Sequence, residues 1–407
     1  MIATGADEVI AYDLTLGSTT AARFIGTSEF DLGRGDDILT LTVDPAHVGI
    51  GGIASTYSTS VSAQGGAGED SVWTGHGNDT VYGDTSTAAL LNLELDFGGF
   101  NDDIHTGNGD DTIYGDVGTL GAISATVSLL GFGDDMIYGG AGEDIIHGDA
   151  NTFGGLVGVS VGVLDAGDDT IYGGDGTDTI YGDSGGSGGI SLSIGALNLG
   201  DDTIYGGAGG DTLVGDRAGS VSQALSFGSD TIYGDDGNDT IIGDSTGSVT
   251  GVVTNLAFGD DDLFGGAGDD TIYGDSNQTG LLGLIGGDDV IDGGAGNDVL
   301  YGDTPAILAV GSLGADTFVF SGASGTDRIV DFNDNVLGFG GDKIDLTAYD
   351  TTWGELQTHI TNLGGGLSGN QTQDSVIDLS YVGGGTITIE KDAVHTVNVG
   401  QTDFILS

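Results

Sequence analysis

The stretch GGAGDDTIYGD, Gly265 to Asp275, joins a glycine-rich acidic turn to a short Thr-Ile-Tyr run, and close copies of it recur along the chain. Aligned in nines, seventeen nonapeptides share this register, starting at Leu32, Gly65, Thr74, Phe97, Thr106, Leu130, Gly139, Leu164, Gly173, Leu197, Gly206, Leu225, Gly234, Leu256, Gly265, Leu284 and Gly293. Position six is Asp in every copy and position eight is Ile, Leu or Val in every copy. Position four is Gly in all but one, where Phe100 stands. After the isolated first copy come eight tandem pairs, 28 to 34 residues apart from start to start, each followed by a spacer that begins Gly-Asp. A repeat of this length signals an array in which each unit buries its apolar side only against its neighbours. Several spacers alternate apolar with small or polar residues, as at Ile123, Ala125, Val127 and Leu129, which is the pattern of a further strand. One pair with its spacer therefore reads as one solenoid coil, with two turn-and-strand elements and a variable third side.

Composition alone points elsewhere. The 407 residues include 63 Asp or Glu against 6 Lys or Arg, a formal charge of −57, with 83 Gly, 2 Pro and no Cys. Such a balance is that of a disordered acidic chain, but the strict placement of acid and glycine argues for order. The charge argues against nucleic acid and anionic membrane as partners, since both need basic patches, and for cations. Without Cys there is no disulfide framework and no thiolate metal site. The opening residues MIATGADEVI carry neither a basic segment nor an apolar core, so no cleaved signal peptide is expected there. No apolar run approaches the roughly 18 residues of a membrane-spanning helix.

Each repeat position has a physical task. Glycines at positions one, two and four allow the positive φ of a tight turn and the close approach of neighbouring coils. Position eight is expected to point inward and build a narrow aliphatic core, leaving the Thr and Tyr of DTIY at positions seven and nine outside. Stacked coils would bring the position-six carboxylates within a few ångströms of one another. Buried ionised carboxylates cost several kcal/mol unless paired or metal-bound. A hard divalent cation resolves this, and Ca²⁺ accepts carboxylate and carbonyl oxygens in flexible geometry. The plainer alternative is that these aspartates are turn formers, which Gly-Asp sequences favour.

The pattern resembles GGxGxDxUx, the repeat of RTX proteins, from Leu32 to about Leu346. The resemblance implies that position-six Asp and turn carbonyls of adjacent coils hold Ca²⁺ between them. Carried over by position, the implied ligands are Asp37, Asp70, Asp79, Asp102, Asp111, Asp135, Asp144, Asp169, Asp178, Asp202, Asp211, Asp230, Asp239, Asp261, Asp270, Asp289 and Asp298. First copies depart from the family at positions one to three, as in LDAGDD and LSFGSD, so their sites are expected to be weaker or incomplete. The spacer aspartates Asp84, Asp116, Asp149, Asp183, Asp216, Asp244, Asp275 and Asp303 fit either additional ligands or turn caps. The implied fold is all-β, a parallel β-roll or β-helix solenoid of about eight to nine coils with two calcium-binding turns and a variable third strand in each. A C-terminal β-rich cap follows. The expected apo chain is unfolded.

Residues 314–350, with their DTFVF, DRIVDF and DKIDL blocks, resemble the segment that follows the repeats in serralysin-type peptidases. Asp403, Phe404, Ile405 and Leu406 look like the uncleaved signal for type I secretion, with an ordinary final strand as the alternative. The chain is accordingly divided into an N-terminal β segment at 1–64 with one isolated repeat, acting as cap or assembly contact, an RTX solenoid at 65–310, and a serralysin-like cap with the secretion signal at 311–407.

Neither HExxH nor G-x-S-x-G is present, and the repeats starting at residue 32 leave no room for a catalytic domain, so an enzyme is not expected. His76, His105 and His147 fall at repeat positions three or nine, where they would decorate turns or the outer face. The expected function is a secreted, calcium-binding structural protein that folds on extracellular Ca²⁺ and self-assembles into a surface layer, filament or matrix, as a homo-oligomer or polymer. The alternative is a calcium-dependent adhesin that meets cell-surface glycan through its Thr and Tyr columns. An enzyme, or the detached secretion module of one, comes third.

Overall fold

The computed structural model describes residues 9–13, 28–31, 38–42, 61–64, 71–76, 78–83, 101–118, 127–151, 160–184, 193–217, 226–246, 256–278, 284–305, 314–333, 341–361, 374–390 and 399–407. The chain divides into two compact units, Met1–Leu197 and Asn198–Ser407, and each is a stack of short parallel strands.

In the first unit one sheet runs through Val9–Asp13, Ile38–Thr42, Ser71–His76, Asp103–Asn108, Met136–Ala141 and Thr170–Asp175. The facing sheet runs through Ser28–Asp31, Val61–Gln64, Thr80–Tyr82, Thr112–Tyr114, Ile145–His147 and Thr179–Tyr181. In the second unit the corresponding sheets run from Thr203–Ala208 through Thr231–Asp236, Asp262–Phe264, Val290–Asp292, Thr317–Val319 and Lys343–Asp345 to Phe404–Ile405, and from Thr212–Val214 through Thr240–Ile242, Thr271–Tyr273, Val299–Tyr301 and Thr326–Ile329 to Thr386–Ile389. Two antiparallel strands, Ser375–Asp378 and Ile360–Thr361, close this second sheet beside the short helix Trp353–Leu356.

The fold is the expected β-solenoid, but the number of turns is corrected. The solenoid makes about five turns rather than the eight to nine coils counted from nonapeptide pairs. Strands such as Thr317–Val319 and Thr326–Ile329 also extend the stack outside the nonapeptides.

Register is like on like, Thr203 against Thr231, Ile204 against Ile232 and Tyr205 against Tyr233. This follows from a period-two strand whose inward position is always aliphatic, since a slip of one residue would turn the core face out. Ile171, Ile180, Ile204, Ile241, Ile272 and Leu300 are fully buried. Like register also stacks rings at about the strand spacing: Tyr138 and Tyr172 lie 4.7 Å apart with ring planes nearly parallel at 2°, and Tyr205 and Tyr233 lie 4.9 Å apart. His147 departs from expectation. It is buried, sandwiched between Tyr114 and Tyr181, and the loss of solvent lowers its imidazole to about 3.

The third side explains why first copies break the family pattern. Strands Val127–Gly131 and Ser160–Asp165 pair in parallel, as do Leu256–Ala257 and Leu284–Ile285. Each of these four runs into positions one and two of a first copy, so Leu130, Leu164, Leu256 and Leu284 are strand residues rather than turn residues. Position three then turns inward: Phe132, Leu199, Phe227 and Phe258 are buried, and the last two stack at 5.1 Å.

Candidate metal centre

The position-six aspartates form ladders along each unit. The Asp79 N–H donates to Asp111 Oδ1, Asp111 to Asp144 and Asp144 to Asp178, at 2.7 to 2.8 Å. A parallel ladder joins Asp102, Asp135 and Asp169. In the second unit one ladder runs Asp202, Asp230, Asp261, Asp289 and another Asp211, Asp239, Asp270, Asp298. The strand just after each Asp pins its main chain, so every carboxylate in these ladders reaches the preceding coil's amide in the same way. Asp37 and Asp70 lie outside the described residues.

One oxygen of each carboxylate is thereby used. The other, Oδ2, is buried and has no hydrogen-bond partner at Asp144, Asp239, Asp261, Asp270, Asp289 and Asp298. These side chains are 1 to 2% exposed. A buried, unsatisfied carboxylate oxygen is costly, and burial pushes the carboxyls of Asp144, Asp239 and Asp298 up to about 7 and that of Asp270 up to about 6. Asp261 and Asp289 rise well above the ordinary range for the same reason.

The space these oxygens face is lined by main chain. A Cβ placed on Gly234 would stand 2.5 Å from both Asp239 Oδ2 and the Gly265 carbonyl oxygen, and one on Gly265 would stand 2.5 Å from Asp270 Oδ2 and 2.6 Å from the Gly293 carbonyl. On Gly243 it would overlap Asp261 Oδ2 and the Gly274 carbonyl, and on Gly274 Asp289 Oδ2 and the Gly302 carbonyl. Glycine at position one and at the start of the spacer is thus required for space, and Gly266 and Gly268, at positions two and four, in addition have φ of +100° and +148°. Carboxylate and carbonyl oxygens converge with no nitrogen or sulfur donor, the set a hard cation such as Ca²⁺ takes. Among the described residues no three acidic or histidine side chains converge on one point, so carbonyls must supply much of any coordination.

The ladders also run past the last nonapeptide. The Asp289 N–H donates to Asp316 Oδ1 at 3.1 Å, Asp316 to Asp342 at 3.2 Å and Asp298 to Asp327 at 3.2 Å. Sequence reading missed these three. Their signal was there in reduced form, as Gly314-x-Asp316-x-Phe318, Gly325-x-Asp327-x-Ile329 and Gly340-x-Asp342-x-Ile344, once the glycines at positions one and two are no longer demanded. The spacer aspartates do cap turns: the N–H groups of Gly259, Gly287 and Gly314 donate to Asp244, Asp275 and Asp303 at 2.9, 2.9 and 3.1 Å.

The model of the RTX calcium-binding nonapeptide repeat matches residues 62–85, 98–119, 130–152, 163–187, 198–218, 226–245, 257–277 and 286–304. The comparison with curated proteins gives no match. The chain is therefore a calcium-binding repeat protein, and the eight matched stretches are RTX calcium-binding nonapeptide repeats.

Proposed function

We propose that this is an extracellular structural protein that folds when it meets calcium and then associates with copies of itself into a layer, filament or matrix. The position-six aspartates act as calcium ligands together with turn carbonyls of the next coil. The observation that carries the calcium-coupled step is the file of buried carboxylate oxygens without hydrogen-bond partners, at Asp239, Asp261, Asp270, Asp289 and Asp298. A cation that binds the stacked coils and not the unfolded chain stabilises the fold by about 2.7 kcal/mol per site at a hundred times its dissociation constant. Secretion is in keeping with the family, and among the described residues no helix is long and apolar enough to cross a membrane.

Self-association is supported by the sheet that starts at Val9–Asp13, whose outer edge carries no strand among the described residues. An open parallel edge offers unpaired amides and carbonyls to another chain. Trp73, Met136 and Ile145, each 44% exposed, add apolar surface to the outer faces. A second reading, a calcium-dependent glycan adhesin, is favoured by one feature, the outward file of Trp73, His105, Tyr138 and Tyr172 with rings 4.0 to 4.7 Å apart.

The test begins with chelator-treated protein to which millimolar Ca²⁺ is added, with particle mass followed by light scattering and the product imaged by electron microscopy. Ordered sheets or filaments that form only with calcium are the expected result. Folded monomers that never associate would reject assembly and turn attention to glycan binding.

A further inference from the structure

The two sides of the coil are not equivalent, and the difference points to a second kind of calcium site. On the uninterrupted side the turn between the two strands contains one aspartate per coil whose spare oxygen is buried, Asp239, Asp270 or Asp298. On the other side the turn is split open by the spacer. Its two halves are the Gly-Asp that begins the spacer and the first copy of the next coil, which brings Asp261, Asp289 or Asp316. In the first copy, positions one and two have been drawn into the third strand, as at Leu256–Ala257 and Leu284–Ile285. Those residues therefore no longer form the turn of the uninterrupted side. The spacer aspartate stands in their place.

Three observations put it there. Asp244, Asp275 and Asp303 each accept the N–H of the glycine two residues ahead of Asp261, Asp289 and Asp316. Their nearest charged neighbours are again aspartates: Asp244 faces Asp261, Asp216 and Asp275, and Asp289 faces Asp261, Asp275 and Asp303. Asp244 is fully buried, and its Oδ2, like that of Asp261, Asp289 and Asp316, has no hydrogen-bond partner. A turn cap needs one oxygen facing the amide and leaves the other free to meet water. Here the second oxygen of Asp244 is sealed beside another carboxylate whose spare oxygen is also sealed, an arrangement that a cation between them would relieve near neutral pH.

We propose that Asp244, Asp275 and Asp303 are calcium ligands, each adding a carboxylate beside Asp261, Asp289 or Asp316 to a site along the split turn that binds Ca²⁺ more tightly than the sites at Asp239, Asp270 and Asp298, which have no spacer aspartate. Affinity of oxygen-ligand sites rises with the number of charged ligands, and the spacer carboxylate favours the split turn. The proposal rests on the reading of position six as a calcium ligand and adds a ligand that the nonapeptide does not contain.

The experiment compares the full chain with two triple variants by calorimetric Ca²⁺ titration and circular dichroism. One variant carries Asp244→Asn, Asp275→Asn and Asp303→Asn; the other carries Asp239→Asn, Asp270→Asn and Asp298→Asn. Asparagine keeps an acceptor for Gly259, Gly287 and Gly314, so capping survives while charge is lost. The spacer variant is expected to lose the tightest calcium phase and to need roughly tenfold more Ca²⁺ for half-folding, a larger shift than in the position-six variant. A spacer variant that titrates like the unaltered chain, while the position-six variant is weakened, would leave the spacer aspartates as caps and overturn the proposal alone. If the unaltered chain takes up no Ca²⁺, the reading of position six falls and this proposal with it. Should the triple spacer variant not fold, the single Asp244→Asn chain decides: loss of one tight site supports the proposal and an unchanged number of tight sites overturns it.

Discussion

Asp261 shows in one side chain what the repeat asks of its sixth position. Oδ1 accepts the Asp230 amide at 2.8 Å, and Oδ2 is buried beside the Gly274 carbonyl with no hydrogen bond. Asp261→Ala is expected to raise the calcium concentration for half-folding about tenfold, a loss of about 1.4 kcal/mol, read by circular dichroism during titration. Gly274 is the counterpart. A methyl there would overlap Asp289 Oδ2 and the Gly302 carbonyl, so Gly274→Ala should lower stability in saturating Ca²⁺ by about 1 to 3 kcal/mol, measured by thermal melting. The same carboxylates set a pH dependence. With calcium chelated, burial holds Asp144, Asp239 and Asp298 near 7 in the folded state, above their ordinary 3.8. The folded chain then binds more protons than the unfolded chain. Their contribution is complete below pH 3.8 and is lost as pH rises through about 7. Acidifying the chelated protein from pH 8 to pH 4 should therefore build β signal in the far-ultraviolet, and a flat signal across that range would contradict the burial of these groups.

At the scale of the element, a three-residue strand such as Thr271–Tyr273 has no stability of its own. It exists because Ile272 fills the slot between Ile241 and Leu300, its in-register neighbours. Truncation by Ile272→Ala leaves a hole in a core only two sheets wide, and a cost of about 2 to 5 kcal/mol is expected, visible as a lower melting temperature with calcium present. Turns carry a different constraint. Asp235 takes the position that Gly266 holds one coil on, with φ of +67°. Asp tolerates the left-handed region through local hydrogen bonding and a β-branched residue does not. Asp235→Val should cost about 1 to 2 kcal/mol while Asp235→Gly is tolerated, and equal melting temperatures for the two would show that the strain is relieved by turn rearrangement.

At the scale of the whole molecule, ladder after ladder of ionised carboxylates can be stacked above neutral pH only with counter-charge between the coils, since Lys and Arg number 6 against 63 acids. Calcium removal is accordingly expected to unfold the chain cooperatively, with full recovery on adding Ca²⁺; a compact chelated fold at pH 7.5 would reject this coupling. The aspartate ladders continue through Asp316, Asp327 and Asp342, so the segment after residue 304 shares their electrostatics. The sequence DFIL near the C-terminus likewise enters the structure as the strand Phe404–Ile405, paired with Lys343–Asp345.

The sequence by itself determined the coil. An Asp and an aliphatic residue recurring at fixed positions leave only one face for each, and that dictated parallel in-register strands, the aliphatic core and the candidate ligands from Asp79 to Asp298. Local periodicity is visible in sequence because it is enforced by a local rule. Tertiary structure decided the rest. The number of turns, the burial of His147 between two tyrosines and the inward Phe227–Phe258 column depend on which coil lies next to which. So do the ladder's extension into degenerate copies and the meeting of Asp244 with Asp261, because a spacer of variable length hides from sequence which residue follows it in space. Contacts across coils join residues about thirty positions apart, and no pattern within nine residues encodes them.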